Sequence, residues 1–209
     1  MDSFADLMFT DAVTAYQREI GVDETFAKVY SRRFTGDLGP DEKAFIESRT
    51  SFYLGTHNAD GWPYVQHRGG PAGFLKVIGP TRLGFADYKG NKQFVTRGNL
   101  DEDDRVSLFL MDYPRRARLK LLGHATMIDA SDDADLAAQL ASDGAPEPER
   151  LVTIDVSAMD WNCPKYIEPR FTEAEIAAMM GPKIKALTER VEELEAELAA
   201  LRSEGGKAE

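Results

Sequence analysis

The chain has 209 residues, a net charge of −11, three histidines and one cysteine. With Cys163 alone, an intrachain disulfide and a cysteine-based zinc site are excluded, and His57, His67 and His124 lack the spacing of helical metal ligands, so no metal site is expected. An apolar share of 43% fits a globular chain long enough to bury a core, while the acidity argues against general nucleic-acid binding.

The first 50 residues read as helical pieces. Asp11 to Ile20 is a short periodic segment stopped by Gly21, Asp23 to Phe34 continues it, and Pro40-Asp41-Glu42 opens a third helix with proline and acids in its first turn. From Ser51 the texture changes to strands. Phe52–Thr56 is followed by Asn58-Ala59-Asp60-Gly61, a hairpin signal, and Trp62–His67 reads as the returning strand. Further strands are expected at Phe74–Ile78, Arg82–Ala86, Arg105–Asp112, Arg118–Ile128 and Leu151–Val156, with short helices at Asn91–Leu100 and Ser131–Ser142. Short connections without βαβ alternation favour an antiparallel barrel. After Gly181-Pro182 punctuates the chain, Ile184, Leu187, Val191, Leu194, Leu198 and Leu201 recur at alternating spacings of 3 and 4, a heptad seam ended by Gly205-Gly206. That seam either docks on its own barrel or pairs across a dimer axis. The expected organisation is a helical segment over 1–50, a barrel over 51–172 and a C-terminal helix over 173–204.

No apolar run approaches the roughly 18 residues of a membrane span, and the N-terminus lacks the basic region of a signal peptide, so a cytoplasmic protein off the membrane is expected.

Charge is unevenly spread: residues 52–128 carry eleven basic and seven acidic side chains, and the rest of the chain is net −15. A basic island in an acidic protein points to a small anionic ligand. Two stretches inside it carry the chemistry. Gly61–Lys76 is rich in glycine and proline and sets His67 and Arg68 beside Gly69-Gly70, side-chain donors next to backbone amides. Leu83–Gln93 is a strand ending in a glycine turn, with Asn91, Lys92 and Gln93 opening a helix, the arrangement that holds a phosphate. Arg118 and Lys120 alternate with Leu119 and Leu121, which places both on the polar face of their strand. No nucleophile elbow, Walker loop or dinucleotide fingerprint is present. The hard chemistry of an enzyme so equipped falls to a cofactor.

In these residues the chain resembles the pyridoxamine 5′-phosphate oxidase-like family of flavin-binding split β-barrels. The matching elements run in family order: Asn58–Tyr64, Gln66–Arg68 with Phe74–Lys76, Gly84–Asp87 with Gly90–Gln93, Arg105–Leu110, and Leu121–Ala125. The resemblance implies a mainly β, α+β fold, a six-stranded antiparallel split β-barrel with flanking helices. It further implies a homodimer with FMN at the subunit interface and an oxidoreductase passing hydride through flavin N5 to or from a small substrate or nicotinamide. Carried over, His67, Arg68 and Gly69 contact the flavin or its phosphate, Asn91, Lys92 and Gln93 hold the phosphate, and Ala86 and Asp87 line the ring edge. Lys76 takes a position near the substrate side, Arg118 reaches in from the other subunit, and Trp161 covers the ring. The catalytic side chains stay unassigned. Two departures weigh against the vitamin substrate: Gly69–Gly73 interrupts a strand that is continuous in the oxidase, and the C-terminal Arg-x-His signature is replaced by Asn162–Tyr166 and Pro169–Phe171. A deazaflavin-dependent reductase and a non-catalytic flavin-binding sensor remain as alternatives.

Overall fold

The computed structural model describes residues 2–30, 36–161 and 164–205, except the side chains of 201 and 203–205. The chain divides into two compact units, Met1–Ile167 and Glu168–Glu209. In the first, α1 (Phe4–Met8), α2 (Asp11–Glu19), α3 (Asp23–Tyr30) and α4 (Pro40–Glu47) precede the strands. The expected extension of α3 to Phe34 falls on residues 31–35, outside those described. Ser3 and Thr10 accept backbone N–H bonds as N-caps of α1 and α2, and Gly21, at φ +69°, ends the second helix. Phe9 meets Phe26 and Tyr30 edge to face at 5.9 and 5.0 Å, which holds the end of α1 against α3.

Seven strands follow: β1 (Ser51–His57), β2 (Pro63–Gly69), β3 (Lys76–Val77), β4 (Arg82–Asp87), β5 (Arg105–Asp112), β6 (Ala117–Asp129) and β7 (Arg150–Trp161). They form one antiparallel sheet in the order β2-β1-β5-β6-β7-β4-β3. The edge strands β2 and β3 are not hydrogen-bonded to each other, so the sheet is split rather than closed; its seven strands match the seven read along the chain, one more than the six-stranded barrel that the resemblance implies. Alternation along the strands builds the core. Phe52 and Leu54 on β1, Val106, Leu108 and Leu110 on β5, and Leu119 and Leu121 on β6 are all buried on one face. Phe52 stacks on Phe74 at 5.7 Å and meets Phe85 edge-on at 5.5 Å. Arg49 enters this core only with partners: it bonds Asp112 at 2.7 Å and the carbonyls of Phe45 and Met111.

Two local expectations are corrected. The strand read over Phe74–Ile78 shrinks to two residues because Gly70–Phe74 turns instead of extending. Gly70 N–H donates to Thr50 O, Gly73 N–H to Glu47 O and Phe74 N–H to Pro71 O, with Gly73 at φ +85°. Gly70 itself lies so close to Phe74 that a Cβ there would sit 2.6 Å from the ring. The helix read from Asn91 starts only at Val95: α5 runs Val95–Glu102, because Lys92 and Phe94 adopt left-handed φ of +59° and +55°. Within α5, Gly98 has open space where a Cβ would go. Gly98→Ala should therefore stabilise the fold by about 1 kcal/mol, raising the melting temperature by roughly 2–4 °C in a thermal melt.

After β6, a 3₁₀ turn (Ala130–Asp132) leads to α6 (Ala134–Leu140). In the second unit, α7 (Glu173–Gly205) is a single helix of 33 residues. It passes unbroken through Gly181-Pro182, the pair that punctuates the sequence there. A proline removes one helical N–H bond, and a helix of this length keeps the rest of its ladder. Among the described residues no helix is long and apolar enough to cross a membrane.

Candidate functional site

Along β2 the exposed and half-buried positions alternate, so Tyr64, Gln66 and Arg68 share one face. That face closes a cleft of about 240 Å³ with the end of β4 (Asp87), the turn Gly90–Phe94, the first turn of α5, and Arg150 of β7. β2 and β4 lie far apart in the strand order, yet Arg68 on one donates to Asp87 on the other at 2.5 Å. A side-chain bridge thus spans the split that backbone bonds leave open.

Asp87 is buried and receives a second guanidinium, Arg150 Nε at 3.2 Å, across the β4–β7 pair in which the two residues are register partners. Arg150 also donates to Glu149 at 3.2 Å, so the cluster itself is balanced, and the cationic excess of the cleft lining comes from Lys92 and Arg97 beside Arg68 and Arg150. Arg68 Nε adds a specific vacancy in bonding: it is buried and meets no acceptor among the described residues. An unsatisfied buried donor costs about 1–3 kcal/mol, so this atom is set for an acceptor from outside the chain.

The opposite wall supplies more donors. Asn91 Oδ1 accepts from Gln93 N–H at 3.1 Å and shapes the turn. Phe94 is the N-cap of α5 but gives it no side-chain hydrogen bond, so the first-turn N–H groups of the helix lack the usual capping oxygen. Val95, Thr96 and Arg97 of that turn line the cleft, and Lys92 stands beside them with no ion pair among the described residues. The turn holds two non-glycine residues at positive φ, a strain of about 1–3 kcal/mol each that concentrates at functional sites. Its position is fixed from below: Thr96 Oγ1 donates to Gln66 at 2.6 Å, and buried Asn99 donates to Thr56 at 2.8 Å. The cleft thus converges guanidinium, ammonium and free helix amides, the donor set for a phosphate-like anion.

A second cleft of about 370 Å³ adjoins the first and shares Arg68, Asp87 and Tyr88 with it. It is floored by Phe74, Phe85 and Ala86 and edged by His67 and the Gly69–Pro71 turn. The structure accordingly brings Arg68, Asp87, Asn91, Lys92 and Gln93 to the cationic cleft, and His67, Gly69 and Ala86 to its neighbour.

Three expected residues stand apart from both clefts within one chain. Lys76 Nζ donates to Gln139 O at 2.6 Å and Ala141 O at 2.9 Å, binding the C-terminal end of α6, because the Gly70–Phe74 turn carries it there. Trp161 Nε1 donates to Glu42 at 2.9 Å and its ring meets Phe45 edge-on, so it braces α4. Arg118 lies over Phe109 in a groove with Tyr53, Val65 and Met111, on the outer side of the sheet. In turn, Tyr64, Gln66, Thr96, Arg97 and Arg150 line the cationic cleft and were not read from the sequence. The period of two from Arg68 back along β2 signals the first two; nothing local signals Arg150, which arrives through strand register.

Residues 38–162 match the sequence model of pyridoxamine 5′-phosphate oxidase. The chain belongs to that family. Among solved structures, the chain is similar to HupZ of Group A Streptococcus (14% identity over 64% of this chain and 98% of that one, TM-score 0.48). It is similar likewise to a putative pyridoxamine 5′-phosphate oxidase of Lactobacillus delbrueckii (20%, 61% and 99%, TM-score 0.46). HutZ, the haem storage protein of Vibrio cholerae, is more distant (14%, 59% and 94%, TM-score 0.38). No curated protein matches the chain.

Proposed function

We propose that this family member binds FMN and works as a flavin-dependent oxidoreductase, with the phosphate in the cationic cleft and the ring toward the adjoining one. The buried Arg68 Nε without an acceptor carries this reading. Together with Lys92 and the uncapped start of α5, it makes a donor set that suits a phosphate better than a neutral ligand. When bound, the flavin supplies hydride exchange at N5. The chain's own part is orientation and electrostatics. Asn91 shapes the phosphate turn, Gln66 and Thr96 fix its height, Asp87 holds Arg68 and Arg150 in place, and Phe85, Ala86 and His67 border the ring space. In a homodimer with the cofactor at the subunit interface, Arg118 of a second copy completes the site.

The deciding experiment is the visible spectrum of freshly purified protein, followed by release and chromatography of the chromophore. A flavin spectrum with FMN released supports the reading. A haem Soret band, or a colourless protein that takes up no added FMN, overturns it. Reduction of the bound flavin by NADH or NADPH with reoxidation by air then separates an enzyme from a carrier. Lys92→Ala should weaken FMN binding at least tenfold in a fluorescence titration, in line with about 1.5–3 kcal/mol for a charge-assisted hydrogen bond; wild-type affinity would remove the phosphate from this turn.

A further inference from the structure

The function proposed above leaves α7 unused. Its seam is apolar and uncovered: Ile184, Leu187, Val191, Leu194 and Leu198 are between 46% and 67% exposed. With Ile184 as an a position, Leu187 and Leu194 are d, Val191 and Leu198 are a, and Met180 is the d position one heptad earlier. An apolar stripe at a and d wants another helix with the same repeat. We propose that the stripe of α7 pairs with α7 of a second copy as a parallel, in-register, two-stranded coiled coil.

Three features select this occupant and this orientation. β-Branched Ile184 and Val191 at a, with leucine at d, favour two strands over three or four. The flanking charges then complement each other between two copies. In a parallel pair, each g position faces e of the following heptad on the partner helix. That sets Arg190 against Glu195 and Glu197 against Arg202, each twice by symmetry, and leaves Lys183 against uncharged Thr188. An antiparallel pair would set g against g, with Arg190 on Glu197, so charge alone does not set the orientation; the sorting of β-branched Ile184 and Val191 to a and leucine to d is what fits the parallel pair. Within one chain Arg190 bonds Glu193 at 2.8 Å, an exposed pair on the helix surface that contributes little and yields readily. Thirdly, Pro182 falls at f, on the side away from the seam, so the one irregularity of the helix does not interrupt the contact.

The test uses the full chain with Cys163→Ser and a single new cysteine at a d position. Met180 and Leu194 are 14 residues apart, about 21 Å along a helix. In a parallel in-register pair each faces its own copy, so Met180→Cys and Leu194→Cys should each give a covalent dimer under mild oxidation on a non-reducing gel. In the Leu194→Cys background, Arg190→Glu should cut the yield at least threefold, and adding Glu195→Arg should restore it. Far-UV circular dichroism checks that the helix persists. Cross-linking at only one site indicates an antiparallel or shifted pair and overturns the proposal. So does cross-linking at neither site, or a yield indifferent to the charge reversal. None of these readouts depends on flavin, so their failure leaves the cofactor reading standing.

Discussion

Gly123→Ala should lower the melting temperature by roughly 6–12 °C, the equivalent of about 3 kcal/mol in a domain of this size. The β6–β7 ladder runs from Leu119 opposite Trp161 to Asp129 opposite Arg150, and its register shifts between Leu122 and Gly123. At that bulge the two backbones approach so closely that a Cβ on Gly123 would collide with the carbonyl of Asp155 and lie 3.2 Å from Ile154 Cγ2. The obstacle is main chain, and it is pinned. Val156 N–H donates to Thr81 O at 2.8 Å, and both carboxylate oxygens of Asp155 accept from Arg82 at 2.7 Å. The Arg82 pair holds the Asp155 carboxyl below the usual carboxylate range, though its exposure limits what it adds to stability. Relief would have to come from displacing β7, whose Val152 and Ile154 are fully buried. A melting curve unchanged by the substitution, followed by far-UV circular dichroism beside Gly98→Ala as the permissive comparison, would show that the bulge relaxes freely and carries no strain.

Local pattern made most of the fold legible. β5 begins and ends where alternation put it, at Arg105 and Asp112, and the Asn58–Gly61 turn closes as read, with Trp62 N–H on Asn58 Oδ1 at 2.8 Å. What failed was local chemistry overridden by the chain around it. The apolar run at Phe74 was read as strand, yet Phe74 and Leu75 are buried by a glycine-rich turn dropping them into the core. Gly181-Pro182 punctuates the sequence, yet one missing N–H does not end a long helix. The site divides the same way. Arg68 and Lys92 stood out because charge, glycine and a helix start coincide within a few residues. Arg150 is 63 residues from Asp87 in sequence and reaches it only through the β4–β7 register. Lys76 was placed by family order and Trp161 by its position after the last strand, and within one chain they hydrogen-bond to α6 and to Glu42.

Arg68→Ala should weaken FMN binding by tenfold to a hundredfold or more, from the loss of about 1.5–3 kcal/mol in charge-assisted hydrogen bonding. The guanidinium has two jobs that separate by atom. Nη1 bridges the split to Asp87, and Nε, buried without an acceptor among the described residues, is the donor left for a ligand. Truncation should spare the fold more than most buried ion-pair losses do, because Asp87 keeps Arg150 at 3.2 Å and is not left uncompensated. Arg68→Lys should fall between wild type and alanine: one ammonium cannot serve both directions as the planar fork does. Thermal melts run alongside the flavin titration keep lost binding apart from lost structure. Riboflavin, which lacks the phosphate, then decides where the donor points. If Arg68 meets the phosphate, riboflavin binds wild type and Arg68→Ala alike, and the whole penalty appears with FMN. If both ligands weaken together, Arg68 contacts the ring, and the phosphate rests on Lys92 and the α5 amides alone. FMN bound by Arg68→Ala as tightly as by wild type would exclude this guanidinium from the site altogether.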